Sequence, residues 1–182
     1  MSSISEVWAS SAHSASGRQL IQVPLPMLEA LANGDLESAN TLSPHALTPY
    51  LISKECRGVW RMRRDQVTAD PGDGVWVTRL LVDSTTGAVV GRAGFHGPPD
   101  EVGMVEIGYA IDPLCRQQGH ARAALKILLE VAGEDSRVDV VRATVRPDNL
   151  ASRALIDQHG FRVMGEQWDD EDGLEVILEV SV

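Results

Sequence analysis

The run Arg116-Gln117-Gln118-Gly119-His120-Ala121 has the residue types and spacing of a phosphate grip. It follows a strand-like stretch, residues 105–111, and opens a helix-like stretch, residues 121–132. A strand that turns through glycine into a helix presents several unpaired backbone N–H groups in one direction. With the positive end of the helix dipole, these make a site for a phosphate or pyrophosphate. Gly119 has a physical reason for its place, since a side chain there blocks close approach of backbone to phosphate. The turn lacks the Lys-Ser/Thr pair that holds phosphate and magnesium in a P-loop, which disfavours that class of nucleotide enzyme. No Cys-His or Ser-His pairing is visible that would form an enzyme-bound acyl group.

The elements that must position this grip are legible in the hydrophobic pattern. Residues 19–23 form a short strand, and Pro26 opens a helix with Met27, Leu28 and Leu31 at helical spacing, stopped by Asn33-Gly34-Asp35. Pro44 and Pro49 break the next stretch, and a weakly amphipathic helix is expected over about 52–66. Asp70-Pro71-Gly72-Asp73-Gly74 is a turn. Residues 75–83 and 88–96 make a hairpin around Ser84-Thr85-Thr86-Gly87. Residues 104–111 alternate, with Val105, Ile107, Tyr109 and Ile111 on one face and Met104, Glu106, Gly108 and Ala110 on the other. In the helix that follows, Ala121, Leu125, Leu128, Leu129 and Ala132 make the apolar stripe. A buried strand over 138–145, a helix over 150–159 capped by Gly160, and a hairpin of 161–168 with 174–180 complete the order.

A chain of 182 residues, 43% hydrophobic, fits one domain with a real core. The expected division is a flexible tail over 1–17, rich in Ser and Ala, and a single domain over 18–182. No apolar run is long enough for a membrane span, and the N-terminus lacks the basic-then-apolar pattern of a secretory signal. Cys56 and Cys115 match no metal spacing and read as free thiols in a reducing cytoplasm, where the protein is expected to reside. A net charge of −10 argues against a general nucleic-acid binder. Seven acids over 166–182, with no Lys or Arg among them, carry most of that charge, whereas Arg57, Arg61, Arg63 and Arg64 form a basic cluster.

Two stretches together resemble the Gcn5-related N-acetyltransferase (GNAT) superfamily. The first is Ile107-Gly108-Tyr109-Ala110-Ile111-Asp112-Pro113 running into Arg116–Ala121, similar to the superfamily's acetyl-CoA signature. The second is Asn149-Leu150-Ala151-Ser152-Arg153-Ala154-Leu155 with its Gly160-Phe161 exit. Glu106-Ile107-Gly108-Tyr109 resembles the branch that includes ribosomal-protein alanine N-acetyltransferases. The resemblance implies an α/β (α+β) fold with a mixed, mostly antiparallel central sheet, splayed central strands and flanking helices. It also implies acetyl-CoA as cosubstrate, with no metal, and direct attack by a primary amine. The strand ending at Ile111 would pair with pantetheine, Gln117, Gln118, Gly119, His120 and Ala121 would hold the pyrophosphate, Arg116 would add charge, and Asn149 and Ser152 would contact the cofactor from its other side.

The amine must lose a proton before it attacks, and Glu106, a charge in mid-strand, is the candidate base; the bland alternative is a carboxylate that pairs with an arginine. Many family members carry a tyrosine four residues before the glycine of the Gly-Phe exit. Ile156 stands there and donates nothing, so Ser152 becomes a candidate donor to the leaving thiolate, with Tyr109 and Tyr50 as substitutes. His96 is expected to be structural, and His120 to matter through its backbone. Trp168 and the acids 169–172 form a hairpin tip that would attract a cationic amine if it borders the acceptor pocket, or is otherwise a solvated loop. A longer acyl-CoA, given room by Gly108 and Ala110, and a non-catalytic CoA-binding module are the rival readings. The acceptor amine, a protein N-terminus or a small molecule, and the oligomeric state are left open.

Overall fold

The computed structural model describes residues 7–170 and 173–182. Among the described residues eight strands form one sheet: β1 (Val7–Ala9), β2 (Arg18–Ile21), β3 (Arg79–Asp83), β4 (Ala88–Phe95), β5 (Met104–Ile111), β6 (Val140–Val145), β7 (Arg162–Asp169) and β8 (Gly173–Ser181). Their order is β1-β2-β3-β4-β5-β6-β8-β7, and every neighbouring pair is antiparallel except β5 and β6. Five α-helices of the described residues flank it: α1 (Leu25–Asn33), α2 (Leu36–Leu42), α3 (Lys54–Ala69), α4 (His120–Glu134) and α5 (Leu150–Asp157). The mixed, mostly antiparallel sheet with flanking helices is the expected fold class.

Strand alternation divides the core in two. Leu81, Ala93, Phe95, Ile107 and Val141 pack against Leu125 and Leu128 of α4 on one face. Leu80, Val82 and Val89 pack against Leu28, Leu31 and Trp60 of α1 and α3 on the other. α3 forms because Ser53 caps it, its side chain accepting from the Cys56 N–H, and because Cys56, Trp60, Arg63 and Val67 recur at helical spacing on its buried side.

The feature that makes a site is a split in the sheet. β5 and β6 pair only from Met104↔Val140 to Ile107↔Ala143. Beyond that point β5 stays with β4 up to Gly91↔Ile111, and β6 stays with β8 up to Val145↔Val176. The two strands therefore part after Ile107 and Ala143, each holding its outer neighbour.

The expected flexible tail is overturned for residues 7–17. Val7–Ala9 is an edge strand on β2, and Trp8 is buried, with the Arg79 guanidinium 3.5 Å from its ring centroid and Phe95 edge-on at 5.5 Å. The Ser-Ala composition concealed a single large apolar anchor, and burial of one tryptophan outweighs the composition of its neighbours. Residues 1–6 lie outside the described residues. A second difference is α2, which the stop at Asn33-Gly34-Asp35 concealed: Gly34 ends α1 at φ 77°, and Asp35 at once caps the next helix by accepting from the Ser38 N–H and hydroxyl. β3 begins at Arg79 rather than 75, because Asp70 accepts from the Gly72 N–H and winds Pro71–Val75 into a 3-10 turn.

Candidate active site

The loop between β5 and α4 has the form of a phosphate cradle. Gln117 and Gly119 both take left-handed backbone conformations, φ 61° and 81°. Gly119 is the residue at the head of α4 and supplies no side-chain cap, so the first amides of the helix stay open. Around it a Cβ would meet nothing within 4 Å. His120 is more than a backbone position: its ring is buried, and its Nδ1 accepts from Arg18 Nε at 3.3 Å. Burial, with Arg18 beside it, holds its pKa below the ordinary value, against an upward pull from Asp83. Arg18 also reaches the Gln118 carbonyl, which ties the loop to β2. Arg116 is exposed but bent back, its Nε donating to the Ile111 carbonyl at 3.2 Å.

The split opens into a cleft of about 1230 Å³. Its lining comes from both faces of the sheet. Lys54, Gly58, Arg61 and Met62 of α3, with Arg92 and His96, line it on one face, and Tyr109, Asn149, Ser152 and Ile156 on the other. The backbone of β5 also turns into it. His96 N–H donates to the Glu106 carbonyl and Asp112 N–H to the Val90 carbonyl, so even-numbered residues of β5 bond to β4. The N–H groups of Tyr109 and Ile111 consequently point into the split.

Glu106 and His96 meet on the α3 face. The Glu106 carboxylate accepts from Thr144 Oγ1 at 2.8 Å, and His96 Nδ1 lies 3.7 Å from the same carboxylate oxygen. The His96 carbonyl accepts from Arg63 and Gln66, which locks its backbone to α3. Gly108 leaves the space that the imidazole occupies: a Cβ there would come 2.9 Å from His96 Nε2. The protein packed round the ring holds the His96 pKa below its ordinary value, Glu106 opposing and Arg63 and Arg92 reinforcing. The imidazole is thus neutral near pH 7. His96 lines the cleft, whereas Glu106 stands behind it.

On the opposite face the Tyr109 and Ser152 hydroxyls share a hydrogen bond of 2.7 Å. Burial raises the Tyr109 pKa, the bond to Ser152 opposing. Asn149 caps α5, its side chain accepting from the Ser152 N–H at 3.2 Å. The Asn-x-x-Ser spacing therefore has a local cause, and the Asn149 amide nitrogen is what it offers to the cleft. Ile156 is fully buried in the core beneath them.

A family model described as "Acetyltransferase (GNAT) domain" matches residues 27–162. The chain belongs to the GNAT acetyltransferase family. Among curated proteins, the uncharacterized N-acetyltransferase YjdG of Bacillus subtilis is 34% identical over 82 residues, covering 45% of this chain and 49% of that protein. The match spans about half the length of that relative. Mycobacterium smegmatis RimJ in complex with CoA-disulfide superposes with a TM-score of 0.63 at 20% identity, covering 91% of this chain and 82% of that one. The Vibrio fischeri ribosomal-protein-S5-alanine acetyltransferase gives 0.64 at 15%, covering 91% and 93%. The microcin C7 self-immunity acetyltransferase MccE, in complex with acetyl-CoA and AMP, gives 0.63 at 15%, covering 93% and 94%. At these identities the structures show a shared fold.

In this GNAT domain the anticipated residues fall into two groups. Asn149 and Ser152 line the cleft, while Arg116, Gln117, Gln118, Gly119, His120 and Ala121 form the loop at the far end of β5, outside the cleft lining. Sequence reasoning undervalued His96, named Arg61 only as part of a basic cluster, and passed over Arg92 and Lys54. A signal existed for the first: positions 92, 94 and 96 share a strand face, and both strand partners of that face carry glycine, Gly94 and Gly108. Of the hairpin tip, Trp168 is exposed, Glu175 alone of the described hairpin acids borders the cleft, and residues 171–172 lie outside the described residues. Among the described residues no helix is long and apolar enough to cross a membrane.

Proposed function

We propose that this domain moves the acetyl group of acetyl-CoA to a primary amine, a protein N-terminus or a small-molecule amine, by direct attack. The observation that carries the reading is the cleft lined from both faces of the sheet at the split. Donor and acceptor can enter from opposite faces and meet between β5 and β6, which removes the entropic cost of bringing them together in solution. The complexes of RimJ with CoA-disulfide and of MccE with acetyl-CoA support the choice of donor.

The residues present fit coenzyme A. The open amides of Gln117 to Ala121 suit the pyrophosphate, Ile111 and the rest of β5 the pantetheine arm, and Asn149 and Ser152 its other side, with Arg116 adding charge. Acetyl-CoA supplies a thioester for attack. The chain's own groups do the rest. His96, neutral and facing the cleft, removes the proton of the incoming amine, with Glu106 behind Nδ1 stabilising the imidazolium that forms. Alternatively Glu106 takes the proton through water. The Tyr109 and Ile111 N–H groups, turned into the split, stabilise negative charge on the carbonyl oxygen. The Ser152–Tyr109 pair donates a proton to the leaving thiolate, the role that Ile156 has no group to fill. Gly108's space is taken by His96, so it provides no room for a longer acyl chain.

Calorimetric titration with acetyl-CoA tests the donor: saturable binding is expected, and none at millimolar concentration would sink it. Tyr109→Phe removes the hydroxyl at Ser152. It should lower kcat roughly ten- to a hundredfold, the worth of one hydrogen bond to a charged group. Acetyl-CoA affinity should stay within about twofold, and an unchanged kcat removes Tyr109 from the chemistry.

A further inference from the structure

The α3 side of the cleft carries cations that the protein itself leaves uncompensated. The Arg92 side chain is only 10% exposed and lines the cleft. Its sole ion-pair partner among the described residues is Glu55, at 3.4 Å and 62% exposed. That is long for a charge-assisted bond. Arg92 Nε, buried, donates to nothing. A buried guanidinium with spare donors is costly until something completes its shell.

α3 adds to this. Lys54 and Arg61 stand on its cleft-facing stripe with no ion pair among the described residues. The acids that border the cleft elsewhere are engaged, Asp148 with Arg146 at 2.6 Å and Glu175 with Gln167 at 2.9 Å. The wall of α3 and β4 is therefore locally positive in a chain of net charge −10.

The wall also has a length. Glu55 meets Arg92, and Arg63 meets the His96 carbonyl, so α3 runs alongside β4 in the same direction. Eight helical residues rise about 12 Å and four strand residues about 13 Å, so the two walls keep pace. Gly58 lies midway, with open space where its Cβ would be. An extended peptide advances roughly 3.3–3.6 Å per residue. With its amine at His96, its third or fourth residue reaches Arg92 and Lys54.

We propose that the acceptor is the N-terminus of a peptide with Asp or Glu at its third or fourth position, whose carboxylate is bound by Arg92 and Lys54. The proposal rests on the reading of the site as an amine acetyltransferase. A free amino acid does not fit, because its carboxylate lies one residue from its amine.

The test is acetyl transfer to three N-terminal peptides that differ only at positions 3 and 4, carrying Glu, Gln or Lys, with free glutamate as a fourth acceptor. Calorimetry with acetyl-CoA runs in parallel. The Glu peptide should be preferred over the Lys peptide by roughly tenfold or more in kcat/KM, mainly through KM, with the preference shrinking as salt rises. Arg92→Gln should erase most of it. If that variant does not fold, Lys54→Glu, at an exposed helix position, should shift preference toward the Lys peptide. Equal turnover of all three peptides, a Lys preference in the unaltered protein, or free glutamate as the best acceptor overturns the proposal. Failure to bind acetyl-CoA, or to acetylate any amine, overturns the underlying reading instead.

Discussion

Replacing His96 with Gln is expected to lower kcat by about 10²–10⁴, the usual worth of a positioned general base, while acetyl-CoA binding stays intact. The variant keeps the backbone bonds of residue 96 to Glu106, Arg63 and Gln66, so the loss reports on the ring. The pH profile separates His96 from Glu106. A base acts in its neutral form, so kcat/KM should fall as pH drops through the His96 pKa, which lies below the ordinary histidine value because of the protein packed round it. Glu106 pulls that pKa upward. Glu106→Gln removes the pull, so the acidic limb should move to still lower pH, and the rate on the plateau should fall because a weaker base remains. If Glu106 instead takes the proton through water, Glu106→Gln removes most of the rate and His96→Gln leaves most of it. An unchanged rate in both variants removes the pair from catalysis. The amine's own ionisation, near pH 8 for an N-terminus, adds a second limb that neither variant moves.

Gly91→Ala is expected to destabilise the fold by about 3 kcal/mol, at the upper end of what overpacking costs. Gly91 pairs with Ile111 on the strand that borders the split, just after a bulge in which the register of β3 and β4 shifts. A Cβ at Gly91 would lie 2.3 Å from the Ala110 carbonyl oxygen and 3.0 Å from the Ile111 Cα. Both are backbone atoms, so relief requires β4 and β5 to separate. Thermal melts should show a drop of roughly 6–12 °C for a domain of this size. Gly133→Ala is the control: in α4 its Cβ would meet only Val182, at 3.9 Å, and helix propensity should raise stability by up to about 1 kcal/mol. Equal melting temperatures for Gly91→Ala and the unaltered protein would show that the two strands part freely.

The form of the loop at residues 116–121 was legible in the chain because its cause is local. Glycine at 119 and a helix beginning at 120 suffice to aim backbone amides, whatever the rest of the molecule does. The strand of residues 104–111 was equally legible from its period of two, and Asn-x-x-Ser from its spacing, which proves to be a helix cap. Trp8 and α2 were missed for the opposite reason. The burial of Trp8 depends on Arg79 and Phe95, far along the chain, and α2 depends on one cap that also reads as a stop.

By itself the sequence determined the family, the fold class and most of the order of the elements from residue 75 onward, because periodicity, glycines and caps act over a few residues. The split between β5 and β6, the approach of His96 to Glu106 across two strands, the bond from Tyr109 to Ser152 and the buried charge of Arg92 were decided only by tertiary structure. Each depends on strand register and helix placement between segments ten or more residues apart, and a one-residue slip in any strand would turn those side chains to the other face.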